Sequence, residues 1–411
     1  MAKNYAAIYV SGNDSISLEQ RLYLKLEATR GQIAIPGNND FLYSLAGGGI
    51  EFSQPFESSP HRSGRHHNNT ITKKTETTFS FSTYFNINTA LGAPSAAEVD
   101  TPVRTLFKSL LGFEDATAGL IYNASIAPDL TFSLHEVGDM WARQAAGAFV
   151  QSGNMQFPGD GEATVEWAGD AKTVYFAGIA ESIVDNNGGN TVTLGVGEGD
   201  RFSVGAQVMI IESDGSTRST DTTAGSARTV TAVVGDVVTL SGVALAGSDG
   251  SVTPVYLCYY EPEAPTGIDN PVTGLIGTVS IASLGGSICV RSVGINVQNN
   301  HEKMDYCYGE PGLGGPLFTP AERLTAEVEV ELNLNHETFA LVNRIRNSES
   351  QDVSVILGDA AGRHFEALMP RVIFSVPTFA VPETGTIPVS FSGSAYQTAL
   401  DAADEITAKF I

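Results

Sequence analysis

Residues 129–169 read DLTFSLHEVGDMWARQAAGAFVQSGNMQFPGDGEATVEWAG, and residues 352–393 read DVSVILGDAAGRHFEALMPRVIFSVPTFAVPETGTIPVSFSG. Pro158 and Pro382, Gly161 and Gly385, and Gly169 and Gly393 each stand 224 residues apart. The leading Asp129 and Asp352 stand 223 apart, so one single-residue gap registers the two stretches. An internal repeat constrains architecture more than an isolated motif does. Two copies at this spacing predict two domains of one fold, presenting similar surfaces.

The duplication extends upstream of the matched stretch. In the first copy, KKTETTFSFSTYF (73–85) alternates Phe79 and Phe81 with Thr78, Ser80 and Ser82, the period of a strand. TPVRTLFKSLLG (101–112) then places Pro in a first helical turn, Val103, Leu106, Phe107, Leu110 and Leu111 at helical spacing, and Gly112 as a stop. Strands are expected at 130–135, 145–151 and 162–167. In the second copy, LTAEVEVELNL (324–334) alternates Val328, Val330 and Leu332 with Glu327, Glu329 and Glu331. HETFALVNRIRN (336–347) supplies the helix, and a strand at 352–357 leads into the repeated tail. Strand, helix, then three strands recurs, which predicts two related β-rich domains over 1–180 and 272–411, each with one helix.

Residues 181–262 are different. They are rich in Gly, Ser, Thr and Val, with turn signals at DNNGGN (185–190), GEGD (197–200) and SDGS (213–216) between short β-prone runs. The segment reads as a small inserted β-barrel or sandwich. A Pro-rich linker within EPEAPTGIDNP (261–271), assigned to 263–271, closes it off.

Composition narrows the function classes. The chain has 411 residues, room for two or three domains. Lys and Arg total 23 against 46 Asp and Glu, a net charge of −23, and no lysine occurs between Lys172 and Lys303. Clamping nucleic acid by its phosphates needs a basic patch, and none stands out at that scale. The N-terminus lacks the charged-then-apolar pattern of a signal peptide, and no apolar run approaches the ~20 residues that span a bilayer. Use without export by that route is expected, with no membrane partner. The three cysteines form no CxxC pair and read as free thiols in a reducing compartment.

Catalytic motifs are missing: there is no GxSxG, HExxH, P-loop, GxGxxG or CxxC. SSPHRSGRHHNNT (58–70) holds His61, His66 and His67, but without regular ligand spacing or a nearby carboxylate a polar loop is the simpler reading than a metal site. Its counterpart is QNNHEKMDYCYGEPGLGGPLFTPAER (298–323), again before the matching strand. Long irregular loops are commonly functional or disordered, and finding one at the same place in both copies favours an interaction arm. Glu327, Glu329 and Glu331 share one strand face and could be read as hydrolytic acids; three like charges in alternation more often make a solvated sheet surface. The Asp- and Gly-rich turns of the middle segment lack the spacing of a calcium loop, and hairpin turns explain them. No enzyme activity and no cofactor are expected.

Taken in order, LYLKLEATRGQIAIPGNNDFLYSLAGG (22–48), the KKTETTFSFSTYF strand, the helix at 101–112 and the strand–turn–strand ending FPGDGEATVEWAG resemble the tail tube proteins of long-tailed bacteriophages. The likeness covers 20–180 and, through the repeat, 272–411. It implies two tandem tube-type β-sandwich or barrel domains, each with one helix, in a mainly β chain. It also implies side-by-side packing into rings whose inner sheets join into a barrel, and stacking of rings into a hollow tube. Two domains per chain imply a pseudo-hexameric ring of three chains; six chains with an outer layer is the alternative. Thr78, Ser80, Ser82, Glu327, Glu329 and Glu331 would face a lumen through which DNA passes without being held. Loops 53–72 and 298–323 would contact the neighbouring ring, with His61, Arg62, Arg65, His66, His67, His301, Lys303 and Tyr306 as candidates. The implied partners are further copies of the chain and tail terminator, tape-measure and baseplate or tip proteins. The implied location is the virion tail, after assembly in the bacterial cytoplasm. Competing readings are the tube of a secretion or contractile injection system, and a glycan-binding or hydrolytic virion tip protein. The inserted segment is expected outside the tube and dispensable for assembly.

Overall fold

The structure, a computed structural model, describes residues 3–11, 20–58, 70–72, 75–85, 101–115, 120–124, 130–184, 190–218, 227–242, 255–262, 277–282, 284, 290–303, 318–320, 322–359, 363–377 and 381–410. The first copy opens with helix α1 (Tyr5–Ser11), then β1 (Arg21–Leu26), β2 (Phe41–Leu42) and β3 (Gly49–Ser53). A short ribbon, β4 (Phe56–Ser58) and β5 (Thr70–Thr72), precedes β6 (Glu76–Tyr84) and helix α2 (Thr101–Leu111). The hairpin β7 (Gly112–Asp115) and β8 (Leu120–Ala124) follows, then β9 (Phe132–Val137), β10 (Ala142–Pro158), β11 (Thr164–Ala171) and β12 (Thr173–Ala177).

The middle segment comprises β13 (Ile179–Val184), β14 (Thr191–Leu194), β15 (Gln207–Ile211), β16 (Arg228–Val234), β17 (Val237–Leu240) and β18 (Val255–Tyr259). The second copy runs β19 (Thr278–Ile281), β20 (Val290–Gln298), the ribbon β21 (His301–Lys303) and β22 (Phe318–Pro320), then β23 (Thr325–Asn333). It ends with α3 (His336–Arg346), β24 (Gln351–Asp359), β25 (Arg363–Phe374), β26 (Pro388–Ala395) and β27 (Thr407–Phe410). The fold is mainly β, built on large antiparallel sheets.

The ladders of β10 with β11 and of β25 with β26 match at the 224-residue offset, whereas β9 and β24 correspond at 219 (Leu134 opposite Ala145, Val353 opposite Met369), so the expected register of Asp129 with Asp352 is corrected. Val150 pairs with Gly169 in the first copy and Phe374 with Gly393 in the second, each 224 residues on. The bulge in β10 between Ala145 and Ala148 recurs in β25 between Met369 and Val372 at the same offset. β6 and β23 show the same alternation of exposed and buried positions. Their registers on β11 and β26 make Thr78, Ser80 and Ser82 the counterparts of Glu327, Glu329 and Glu331. One step further out, Gly49–Ile50 on β3 corresponds to Gly294–Ile295 on β20.

The bend within β10 makes each copy two-layered. Its first residues pair with β9 and β12 in an outer sheet, while Phe149–Gln156 pair with β11 in an inner one. Buried Glu27 steadies the bend, accepting from Gly147 N (2.7 Å), Thr131 Oγ1 (2.6 Å) and Ser133 Oγ (2.8 Å). Gly147 has a φ of +66°, which a side chain would oppose. α2 fills the first copy's sandwich with Leu106, Phe107, Leu110 and Leu111, all fully buried.

The two copies are not separate beads. β10 of the first hydrogen-bonds to β20 of the second over seven residue pairs, from Ser152–Gln298 to Pro158–Ser292. On the outer layer, hairpin strand β8 adds to β27. Between the layers Phe85, Phe107 and Phe157 meet Phe365, with ring centroids 4.6, 6.0 and 6.2 Å apart. One hydrophobic core runs through both copies. The inner sheet is therefore continuous in the order β3–β6–β11–β10–β20–β23–β26–β25.

The inserted segment closes into its own six-stranded barrel, ordered β13–β14–β17–β16–β15–β18. It is more firmly attached than the Pro-rich flank suggests. Tyr23, Val137, Ala142 and Ala177 of the first copy share a core with Tyr259, Val208 and Ile179 of the barrel. Gln144 and Gln207 exchange buried hydrogen bonds of 2.8 and 2.6 Å. α1 also packs on the barrel: Tyr5 N donates to Gly215 O, and the Tyr5 hydroxyl to Glu261. Those contacts join the barrel to the first copy through a shared core. The linker at 263–271 lies outside the described residues.

Candidate functional site, the polar face of the inner sheet

Alternation along each inner strand buries one set of side chains and turns the other outward. Reading across the strands, the outward set forms rows. One runs Ser82–Glu166–Asn154–Asn296–Glu327–Ser394, and the next Tyr84–Thr164–Gln156–Gly294–Glu329–Ser392. Flanking them are Pro158–Ser292–Glu331–Ser390 and, on the other side, Ser80–Ala168–Ser152–Gln298, with Glu51–Thr78–Asp170 beyond. All six residues singled out on β6 and β23 fall on this face. The structure brings Glu327 and Glu329 into one concavity of about 820 Å³ with Asn154, Gln156, Glu166 and Asn296.

Six carboxylates occupy these rows: Glu51, Asp170, Glu166, Glu327, Glu329 and Glu331. A basic side chain reaches them at the margin: Arg291, at a bulge, stands 3.3 Å from Glu331. Neutral neighbours steady several acids: Ser390 Oγ donates to Glu329 (2.6 Å), and Gln151 Nε2 to Asp170 (3.2 Å). Spaced at two residues along a strand, ~6.6 Å apart, and facing solvent, the three glutamates repel one another only weakly in salt. A sheet surface can therefore hold them, and no acid pair here is buried for proton transfer. What the face can do chemically is repel anions while offering hydroxyl and amide groups to water.

Glu166, Asp170, Asn154 and Asn296 were not foreseen. For Asn154 and Asn296 the signal was present as alternation in GNMQF (153–157) and GINVQ (294–298), short windows interrupted by glycine.

The loop candidates divide. His61, Arg62, Arg65, His66, His67 and Tyr306 lie outside the described residues. Lys303 ends strand β21. His301 is buried at the root of its loop, its ring 4.7 Å from Phe149 and its Nδ1 2.9 Å from Asn299 O. Burial holds its pKa below the ordinary histidine value, against the pull of the Asn299 carbonyl. In this position it fastens the loop base. Among the described residues, no group of three His, Cys, Asp or Glu could hold a metal, and no helix is long and apolar enough to cross a membrane.

The two ends of the inner sheet complete the site. At β3, the outward Gly48 carbonyl accepts from Gln20 Nε2 (2.8 Å), and the outward Ile50 N–H donates to Glu136 (2.9 Å). The corresponding residues of β20, Val293 and Ile295, face Phe157 and Met155 of β10 instead. At the other end β25 leaves the ladder after Phe374. The described residues Val376 and Pro377, which correspond to β10 positions paired on both sides, and Val381 and Pro382, which correspond to positions paired with β20, have no strand partner. No known protein-family model and no curated protein sequence matches the chain.

Proposed function

We propose that this chain is the structural subunit of a bacteriophage tail tube, three copies closing a pseudo-hexameric ring and rings stacking around an acidic lumen. One observation carries the reading: the β10–β20 joint. It couples the trailing strand of one repeat to the leading strand of the next, and it leaves a leading strand, β3, and a trailing one, β25, at opposite ends of the same sheet. A contact between unlike surfaces that can be repeated generates a ring or a helix. Closure also removes the sheet edges that otherwise invite uncontrolled pairing.

The polar face supports the second half of the reading. A conduit for DNA has to avoid holding it, because each phosphate contact made by a basic group adds affinity. Rows of carboxylates, hydroxyls and amides repel the backbone and keep the wall wet. Negative-stain electron microscopy of the purified chain tests the assembly, and hollow rings of three chains are the expected result. A chain that stays monomeric, alone and with preformed tubes as seeds, would overturn it. The lumen is tested separately: changing Glu327, Glu329 and Glu331 together to Lys should leave tubes intact yet slow or block genome ejection. Normal ejection by that variant would remove the lumen from the proposal.

A further inference from the structure

The joint inside the chain predicts what fills a cavity on its surface. Phe365 on β25 of the second copy stands 224 residues after Trp141, which immediately precedes the matched strand β10 of the first. Phe365 is 0% exposed because Phe85, Phe107 and Phe157 of the first copy cover it. Trp141 is half-buried and borders an open cavity of about 820 Å³, with Arg143, Phe176, Tyr9 and Arg201 around it. Gly178 stands where the second copy has Phe410, which deepens the space.

The residues corresponding to the three covering phenylalanines are Leu334, Val342 and Val381, the last by the 224-residue offset. Phe157 is 4% exposed, whereas Val381 is 71% exposed. Beside them Phe339 of α3 is also exposed, and with Leu334 it borders a shallow recess. The second copy thus leaves Val381 exposed and Leu334 and Val342 only partly buried where the first copy's three phenylalanines are sheathed. The first copy carries an open socket where the second's is filled.

We infer that the Trp141 cavity is the receptor for the Leu334–Val342–Val381 surface of another copy of this chain. The inference rests on the ring reading and specifies which surfaces meet. Charge agrees: Arg143 and Arg201 flank the socket, and exposed Glu383 lies two residues beyond Val381. Arg143 stacks on Trp141 at 4.9 Å, gives Nη2 to Glu136, and leaves its buried Nε without a partner. The outer layer agrees as well. Inside the chain, hairpin β7–β8 covers the edge of β27, but the second copy passes from α3 to β24 with no such hairpin. At the socket the corresponding edge of β12 is already covered by the barrel, through Ser203 N to Phe176 O (2.9 Å).

Iodide quenching of tryptophan fluorescence tests this in the unaltered protein. Trp167 is fully buried, so quenching of the monomer reports Trp141. On ring formation the quenching should be lost. Rings in which Trp141 stays accessible would overturn the inference and leave the ring reading standing, while absence of rings under seeding would overturn both. Val381→Asp, at a position too exposed to disturb the monomer fold, should weaken subunit association by about 30-fold or more, the loss expected from a central apolar contact. Mixing it with Phe176→Asp, which spoils the socket and also removes the Phe176 contact with Phe52, should yield dimers and no rings, provided the Phe176→Asp monomer keeps its thermal stability. Full assembly by Val381→Asp alone would also overturn the inference.

Discussion

His135, in β9, is fully buried with Nε2 3.0 Å from the Ala34 carbonyl. Burial pushes its pKa down to about 4, and the Ala34 carbonyl only partly opposes that shift. The unfolded chain binds its proton near pH 6.5, so between that value and about 4 the unfolded state holds more protons. Stability contributed by neutral His135 is complete above pH 6.5 and lost as pH falls through that window, about 3 kcal/mol in all. Urea midpoints measured at pH 7 and pH 4.5 should differ more for the natural chain than for His135→Gln. Equal slopes would show that another group governs the acid limb. In the sequence, this histidine within FSLHEV gave no sign of being buried, because its neighbours alternate as on a half-exposed strand. Both faces of β9 are covered instead, one by the sandwich and one by the barrel.

At the scale of elements, the matched glycines show why the repeat could be read at all. A Cβ on Gly169 would come within 2.0 Å of the Phe149 carbonyl oxygen, and one on Gly393 within 3.0 Å of Phe374, Val372 and the Ile373 carbonyl oxygen. Each lies where the bent strand crosses its neighbour, so the same crossing demands the same residue 224 positions apart. Gly169→Ala should cost several kcal/mol, about 3 by comparison with overpacked cores, and Gly393→Ala less; thermal unfolding of the two variants checks the order. Both helices and the alternating strands β6 and β23 were legible because their periodicity is uninterrupted. The joint between copies was not. β20 alternates apolar and polar residues only from Val293 onward, and nothing in a single strand's sequence names the strand beside it. α1 and the β7–β8 hairpin escaped notice for a related reason: each is short, and contacts distant in sequence hold it in place.

For the whole molecule, the shared core between barrel and first copy changes what excision should do. Removing residues 184–258 would uncover Tyr23, Val137 and Ala142 and strip Gln144 of its buried partner. The shortened chain is expected to unfold at lower temperature and to aggregate, however the barrel sits in an assembly. A deletion variant with unchanged thermal stability would contradict that. The occupied edge of β3 bears on time. Gln20 and Glu136 hold two backbone groups at the edge of β3 through which a neighbouring strand could bind, so on the proposed ring reading a free subunit would be slow to associate. Light scattering should then show a lag before assembly that seeds abolish and that Gln20→Ala shortens. A lag unaffected by that change would mean the waiting is enforced elsewhere. If the proposed tube reading holds, such subunits would add only where and when a template appears, and a cell could accumulate them before any assembly is begun.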